Sequence, residues 1–139
     1  MSLEFQENIP YKELGYWRIG GPVQTLFRLR TADELSSLCE RGDPIHILGN
    51  GSNMLVADEG ISGNSVLLEG EFKAFEIREQ ENEQGHLYVG AGMKNVVLLN
   101  RLKRLGWTGL SSLAGIPGTV GGAIRMNAGS ILGEICDAV

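Results

Sequence analysis

The stretch from Leu110 to Glu134, LSSLAGIPGTVGGAIRMNAGSILGE, sets the tightest limit on how this chain folds. It places glycine at 115, 118, 121, 122, 129 and 133 and charge only at Arg125 and Glu134. Each glycine costs conformational entropy on folding, yet frees the backbone to reach φ > 0 and to approach another group closely. Such a run is neither an ordinary helix nor an ordinary strand. Two readings stay open: a loop that meets a ligand, or a tight, glycine-lined packing crossover.

The rest of the chain supplies the frame. Phe5 to Gly15 shows no period and reads as an extended arm, so residues 1–18 are expected to stand apart from the first lobe. Arg18-Ile19-Gly20-Gly21-Pro22 makes a turn into a strand over Val23–Arg30. Thr31 and Glu34 form a capping box for a short amphipathic helix ending at Gly42, and Pro44 forbids its continuation. Ile45–Leu48 resumes as a short buried strand, and the β, α, β order predicts a parallel pair with a right-handed crossover. Ser65–Glu69, Phe72–Glu79 and His86–Gly90 read as further strands, with a bulge near Ala74 and a polar hairpin loop over Gln80–Gly85. Lys94–Leu105 carries Val97, Leu98, Leu102 and Leu105 at helical spacing, with Gly106 as its stop.

Directly after the Ile45–Leu48 strand comes Gly49-Asn50-Gly51-Ser52-Asn53. A glycine-rich turn at the carboxyl end of a buried strand is where α/β sheets hold ligands, and consecutive backbone N–H groups there form a nest for an anion. The familiar dinucleotide fingerprint fails because Met54 takes its last glycine position, and a Walker loop fails for want of a Gly-Lys-Ser/Thr ending. No helical period follows, so a phosphate here would be held in a loop between strands. Paired with a second glycine surface over Gly115–Gly122, this nest suits a doubly charged pyrophosphate. Ser52, Asn53, Thr119 and Asn127 add neutral donors, and Ile116, Pro117 and Val120 offer an apolar wall for a flat ring.

At 139 residues the chain is one domain by size, divided here into 1–18, 19–70 and 71–139. A net charge of −5 argues against a nucleic-acid or anionic-membrane binder. Cys39 and Cys136, with only His46 and His86 to help them, make neither a metal site nor a disulfide framework. Both thiols are expected to be buried or half-buried, His46 partly buried and His86 exposed. An acidic start and the lack of a long apolar run point to a cytoplasmic chain without a membrane span.

The blocks RIGGP, LGNGSNMLV and GLSSLAGIPGTVGGAIRMNAGSILGEI together resemble the UDP-N-acetylenolpyruvoylglucosamine reductase (UDP-N-acetylmuramate dehydrogenase) family, flavoenzymes of peptidoglycan precursor synthesis. The resemblance covers essentially the whole chain, in order. It implies an α+β fold of the vanillyl-alcohol-oxidase-like (PCMH) type, with a small parallel α/β lobe and an antiparallel α+β lobe left incomplete here. It implies FAD, with its pyrophosphate on Gly49, Asn50, Gly51, Ser52 and Asn53, and its phosphates and isoalloxazine edge lined by Ala114, Gly115, Ile116, Pro117, Gly118, Thr119, Gly121 and Gly122, with Asn127 beyond them. Two departures stand out: Tyr16-Trp17 replaces a small hydroxyl residue, and Ser130-Ile131-Leu132 replaces Ala-Tyr-Gly.

Members of that family are much longer. Their arginine, proton-donating serine, late glutamate and UDP-sugar-gripping domain lie beyond the counterpart of Val139, so no catalytic side chain is assigned in this chain. In the family NADPH reduces the flavin, which reduces the enolpyruvyl sugar to the lactyl ether. The chain therefore reads as the flavin-binding part of such a reductase, inactive alone and engaging the UDP-sugar only with the missing domain. Exposed edges left by the truncation predict either a homodimer or a disordered C-terminus. A flavin subunit of another oxidase of this fold and a non-catalytic flavin-binding module are the alternatives.

Overall fold

A computed structural model describes residues 3–81 and 84–139, which form two compact units, Met1–Phe72 and Lys73–Val139. In the first unit β1 (Phe5–Pro10) is followed by a single helical turn, α1 (Tyr11–Leu14), then β2 (Pro22–Leu29), α2 (Ala32–Cys39), β3 (Ile45–Leu48) and β4 (Ile61–Leu68). The sheet order is β1-β2-β4-β3, antiparallel at β1 and parallel elsewhere. Leu26 and Phe27, adjacent on β2, both bury completely because consecutive side chains leave opposite faces of a strand. Phe27, Leu29, Leu38 and Val66 pack with α2, while Tyr11, Val23, Leu26 and Leu48 form a second core. Each such side chain contributes roughly 1.5–3 kcal/mol of burial.

Three expectations are corrected in this unit. The period-less arm is an edge strand and a helical turn that buries Tyr11, and most of β1 is exposed on both faces, which erases any alternation. β2 and β3 are parallel but are not neighbours. β4 lies between them, because its run Val66-Leu67-Leu68 needs cover on both faces. Finally, β4 begins four residues early, at Ile61: Gly63 and Asn64 sit in the strand as a left-handed kink (Gly63 φ 76°) where the ladder register shifts. The capping box is present in full, with Thr31 Oγ1 accepting from Glu34 N–H and the Glu34 carboxylate accepting from Thr31 N–H.

Gly20, Gly21 and Pro22 pack edge-on against residues 56–60. The N–H of Gly21 donates to Ala57 O at 2.9 Å, and Tyr11 N–H donates to Gly21 O at 2.9 Å. Tyr11 itself is 2% exposed, and its hydroxyl has no hydrogen-bond partner among the described residues. Burial raises its pKa above the ordinary 10.0. A phenol whose folded pKa is raised adds stability that is complete below pH 10.0 and lost as pH climbs through the folded value. Tyr11→Phe is therefore expected to hold or raise neutral-pH stability, by up to about 1 kcal/mol, since it deletes an unpaired buried hydroxyl. It should also flatten the fall in the urea midpoint as pH rises above 10.0. An alkaline fall of equal depth in both proteins would contradict this.

In the second unit β5 (Phe75–Glu81) and β6 (Gln84–Val89) form an antiparallel hairpin, followed by α3 (Asn95–Leu105), α4 (Val120–Met126) and a two-residue ribbon, β7 (Gly129–Ser130) with β8 (Gly133–Glu134). The expected strand over Phe72–Glu79 starts later, at Phe75. Phe72 lies on a 3₁₀ turn (Gly70–Lys73), which explains the change of face, and the register shift falls between Ile77 and Glu79 instead. Gln80 and Glu81 of the expected Gln80–Gly85 loop belong to β5 and Gln84 and Gly85 to β6, and residues 82 and 83 lie outside the described residues. On α3 the buried stripe is Asn95, Leu98 and Leu102, with Leu99 half-buried beside them, so Val97 and Leu105 point outward. Gly106 ends the helix in the left-handed conformation, φ 72°. Cys39, Cys136 and His46 are exposed rather than covered. His46 lies on β3, which stands at the edge of its sheet among the described residues. No helix among the described residues is long and apolar enough to cross a membrane.

Candidate functional site

The residues singled out above fall into two groups, Gly49–Asn53 in the first unit and Ala114–Asn127 in the second. The Gly49–Asn53 loop leaves the end of β3 and contains no helix, as its sequence implies. Gly51 is buried with φ 68°, and a Cβ there would collide with the Tyr11 hydroxyl and lie 2.9 Å from Gly15 Cα. Two hydrogen bonds from the preceding segment hold the loop: Tyr16 N–H donates to Asn50 O at 3.0 Å, and the Trp17 indole N–H donates to Ser52 O at 3.0 Å. The N–H groups of Gly51 and Asn53 are given no acceptor by the described residues. The loop carries no carboxylate. Unpaired backbone donors without acidic neighbours are what an anion requires.

In the second unit the same residue types do two different jobs. Val120–Met126, which a glycine count disfavours as a helix, is one, capped by Thr119 Oγ1 accepting from Gly122 N–H at 3.3 Å. Gly121 allows that helix to touch the preceding loop, since an added Cβ would come within 2.9 Å of the Ala91 side chain. Its N–H donates to Ala91 O at 2.9 Å, and Val120 N–H donates to Met93 O at 2.8 Å. Thus the Thr119 hydroxyl caps the helix and Gly121 serves packing, while Gly122 is exposed beside the cap. Val120 belongs to the core and provides no wall, and Ile116 packs beside Leu113. Asn127 ends the helix at φ 46° with its side chain engaged internally, Nδ2 donating to Glu134 Oε2 at 2.6 Å and Oδ1 accepting from Cys136 N–H at 3.3 Å.

What remains open for a ligand in this unit is the loop before the helix. The N–H groups of Gly115, Gly118 and Thr119 are given no acceptor by the described residues. Gly115 sits at φ 78° with nothing within 4 Å of where a Cβ would be, so its glycine answers to backbone conformation and leaves that face clear. The glycine-dense stretch thus divides: Gly115, Gly118 and Thr119 carry N–H groups without an acceptor among the described residues, and Gly121 makes a close packing contact with Ala91. Among the described residues no group of three or more His, Cys, Asp or Glu gathers to hold a metal.

Sequence reasoning missed Tyr11 and the use made of Tyr16 and Trp17. The large aromatic pair before the glycines was visible as a departure, but nothing local tells that an indole N–H reaches a loop 35 residues away.

Comparison with known proteins adds the following. The FAD binding domain family matches residues 24–139. The UDP-N-acetylenolpyruvoylglucosamine reductase of Thermus thermophilus is 38% identical over 133 residues, 96% of this chain and 46% of the relative. That of Myxococcus xanthus is 40% identical over 135 residues, 94% of this chain and 43% of the relative. The crystal structure of UDP-N-acetylenolpyruvylglucosamine reductase from Thermus caldophilus is 38% identical with a TM-score of 0.80, covering 100% of this chain and 47% of that one. The chain spans about half the length of the curated relatives it matches.

Proposed function

The chain belongs to the FAD binding domain family, and from that premise we propose that it is the flavin-binding part of a UDP-N-acetylenolpyruvoylglucosamine reductase. The observation that carries the reading is a set of N–H groups without acceptors among the described residues, at Gly51 and Asn53 in one unit and at Gly115, Gly118 and Thr119 in the other, on a vanillyl-alcohol-oxidase-like FAD-binding fold. Residues 49–53 would hold the pyrophosphate through N–H donors, and residues 114–119 would line the cofactor with exposed backbone. Bound flavin supplies hydride transfer, from NADPH to the double bond of the enolpyruvyl sugar. This chain's residues bind and orient it. No side chain of theirs is given the proton transfer, and the UDP-sugar is assigned to the part of the relatives' length that this chain does not span.

The test is direct. Titrating the purified chain with FAD is expected to quench flavin fluorescence saturably, with one flavin per chain. FAD that stays fully fluorescent at millimolar protein would overturn the reading. Fused to the remaining length of the Thermus thermophilus relative, the chain is expected to support NADPH oxidation that depends on UDP-N-acetylglucosamine enolpyruvate.

A further inference from the structure

The proposed pyrophosphate loop has its donors aimed by something, and the aiming residues lie outside the loop. We propose that Tyr16 and Trp17 form a clamp that orients the loop's N–H groups, with Trp17 a positioning residue for anion binding. The inference rests on the flavin reading only for the identity of the ligand.

The argument is one of peptide geometry. Every described peptide bond is trans, and in a trans peptide the C=O and N–H of one unit point in opposite directions. The carbonyls of Asn50 and Ser52 are both drawn toward the clamp, one by the Tyr16 N–H and the other by the Trp17 indole, each at 3.0 Å. The N–H groups that share those two peptide planes are Gly51 and Asn53. They are therefore both turned away from the clamp, and neither finds an acceptor among the described residues. Alternation matters here: fixing every second carbonyl leaves two donors facing one side, the arrangement of an anion nest. Gly51 is also a buried residue, set against Tyr11 and Gly15, so the loop's path there is fixed by its surroundings.

Trp17 has the means to hold its direction although it is 54% exposed. Its ring meets Tyr16 edge-on, with centroids 5.3 Å apart and an interplanar angle of 89°. Phenylalanine at the same place keeps an aromatic ring beside Tyr16 and cannot donate, so Trp17→Phe removes the hydrogen bond with a modest loss of ring area. Holding the loop in its binding shape before the ligand arrives lowers the ordering cost of binding.

The experiment follows amide resonances of the ¹⁵N-labelled chain during titration with inorganic pyrophosphate, and separately measures FAD and riboflavin affinity. The Gly51 and Asn53 amides are expected to shift with pyrophosphate. Trp17→Phe should weaken pyrophosphate and FAD about 3- to 10-fold, the worth of one hydrogen bond, while riboflavin affinity and the thermal midpoint stay unchanged. The clamp is overturned if those two amides do not respond to pyrophosphate, if Trp17→Phe binds pyrophosphate as tightly as the parent, or if riboflavin affinity and thermal midpoint fall in step. Should pyrophosphate respond as described while FAD does not bind at all, the clamp stands and the flavin reading fails.

Discussion

Gly60→Ala is expected to leave the first unit largely unfolded at room temperature. Position 60 lies at φ 86°, where an L side chain costs roughly 1–2 kcal/mol on conformation alone. The new methyl would also overlap the carbonyl oxygen of Pro22, with Pro22 C and N both 2.8 Å away. These are backbone atoms and have no rotamer to give. Pro22 cannot swing aside, because its ring fixes φ and it opens β2, paired with Pro10 of β1 on one side while Val23 pairs with Ile61 on the other. Overpacking of this kind adds about 1–3 kcal/mol or more. The sum, about 2–5 kcal/mol, approaches at its upper end the whole stability of a small unit. Gly42→Ala is the control, since Gly42 has φ 77° but nothing within 4 Å of its added methyl, and should show the conformational cost only. Equal urea midpoints for the two variants would refute the clash.

That same packing shows where sequence reading succeeds and where it stops. The capping box at Thr31, the stop at Gly106 and the bare loop after β3 are local devices, written in residues three or four apart, and each is found as read. Strand order is not local. β3 follows β2 in the chain, yet the apolar run of β4 takes the central place between them. Glycine is the harder case, since one letter covers three demands. Gly115 needs its φ, Gly121 needs the absence of a Cβ against Ala91, and Gly60 needs both. Only the neighbours brought by the fold tell these apart, which is why the contact of Gly121 with Ala91 is not legible in the sequence. Asn127 likewise reads as a donor to a ligand, but its amide is turned to Glu134 and Cys136, partners that lie just beyond it in sequence and announce nothing. The exposed Cys39, at the end of the amphipathic stripe, fails for the ordinary reason that α2 stops at it.

Gly51→Ala is expected to abolish tight FAD binding, and the reason can be separated from general damage. The residue is left-handed at φ 68°, and an added methyl runs into the Tyr11 hydroxyl, with the ring carbon behind it at 3.2 Å and Gly15 Cα at 2.9 Å. Tyr11 is locked in the core with Val23, Leu26 and Leu48, so the loop must move rather than the ring. Moving it breaks the alignment of the Gly51 and Asn53 donors. Two hydrogen bonds to a charged acceptor are worth about 1.5–3 kcal/mol each, so FAD affinity should fall about 10²- to 10⁴-fold. Tyr11→Phe removes the obstructing oxygen and leaves the φ penalty. The double variant Gly51→Ala with Tyr11→Phe is therefore expected to recover about 1 kcal/mol or more of stability beyond the sum of the single effects, and part of the FAD affinity. Strictly additive effects in that cycle would mean that the Tyr11 hydroxyl does not sit beneath Gly51, and the account of how the loop is shaped would fall with it.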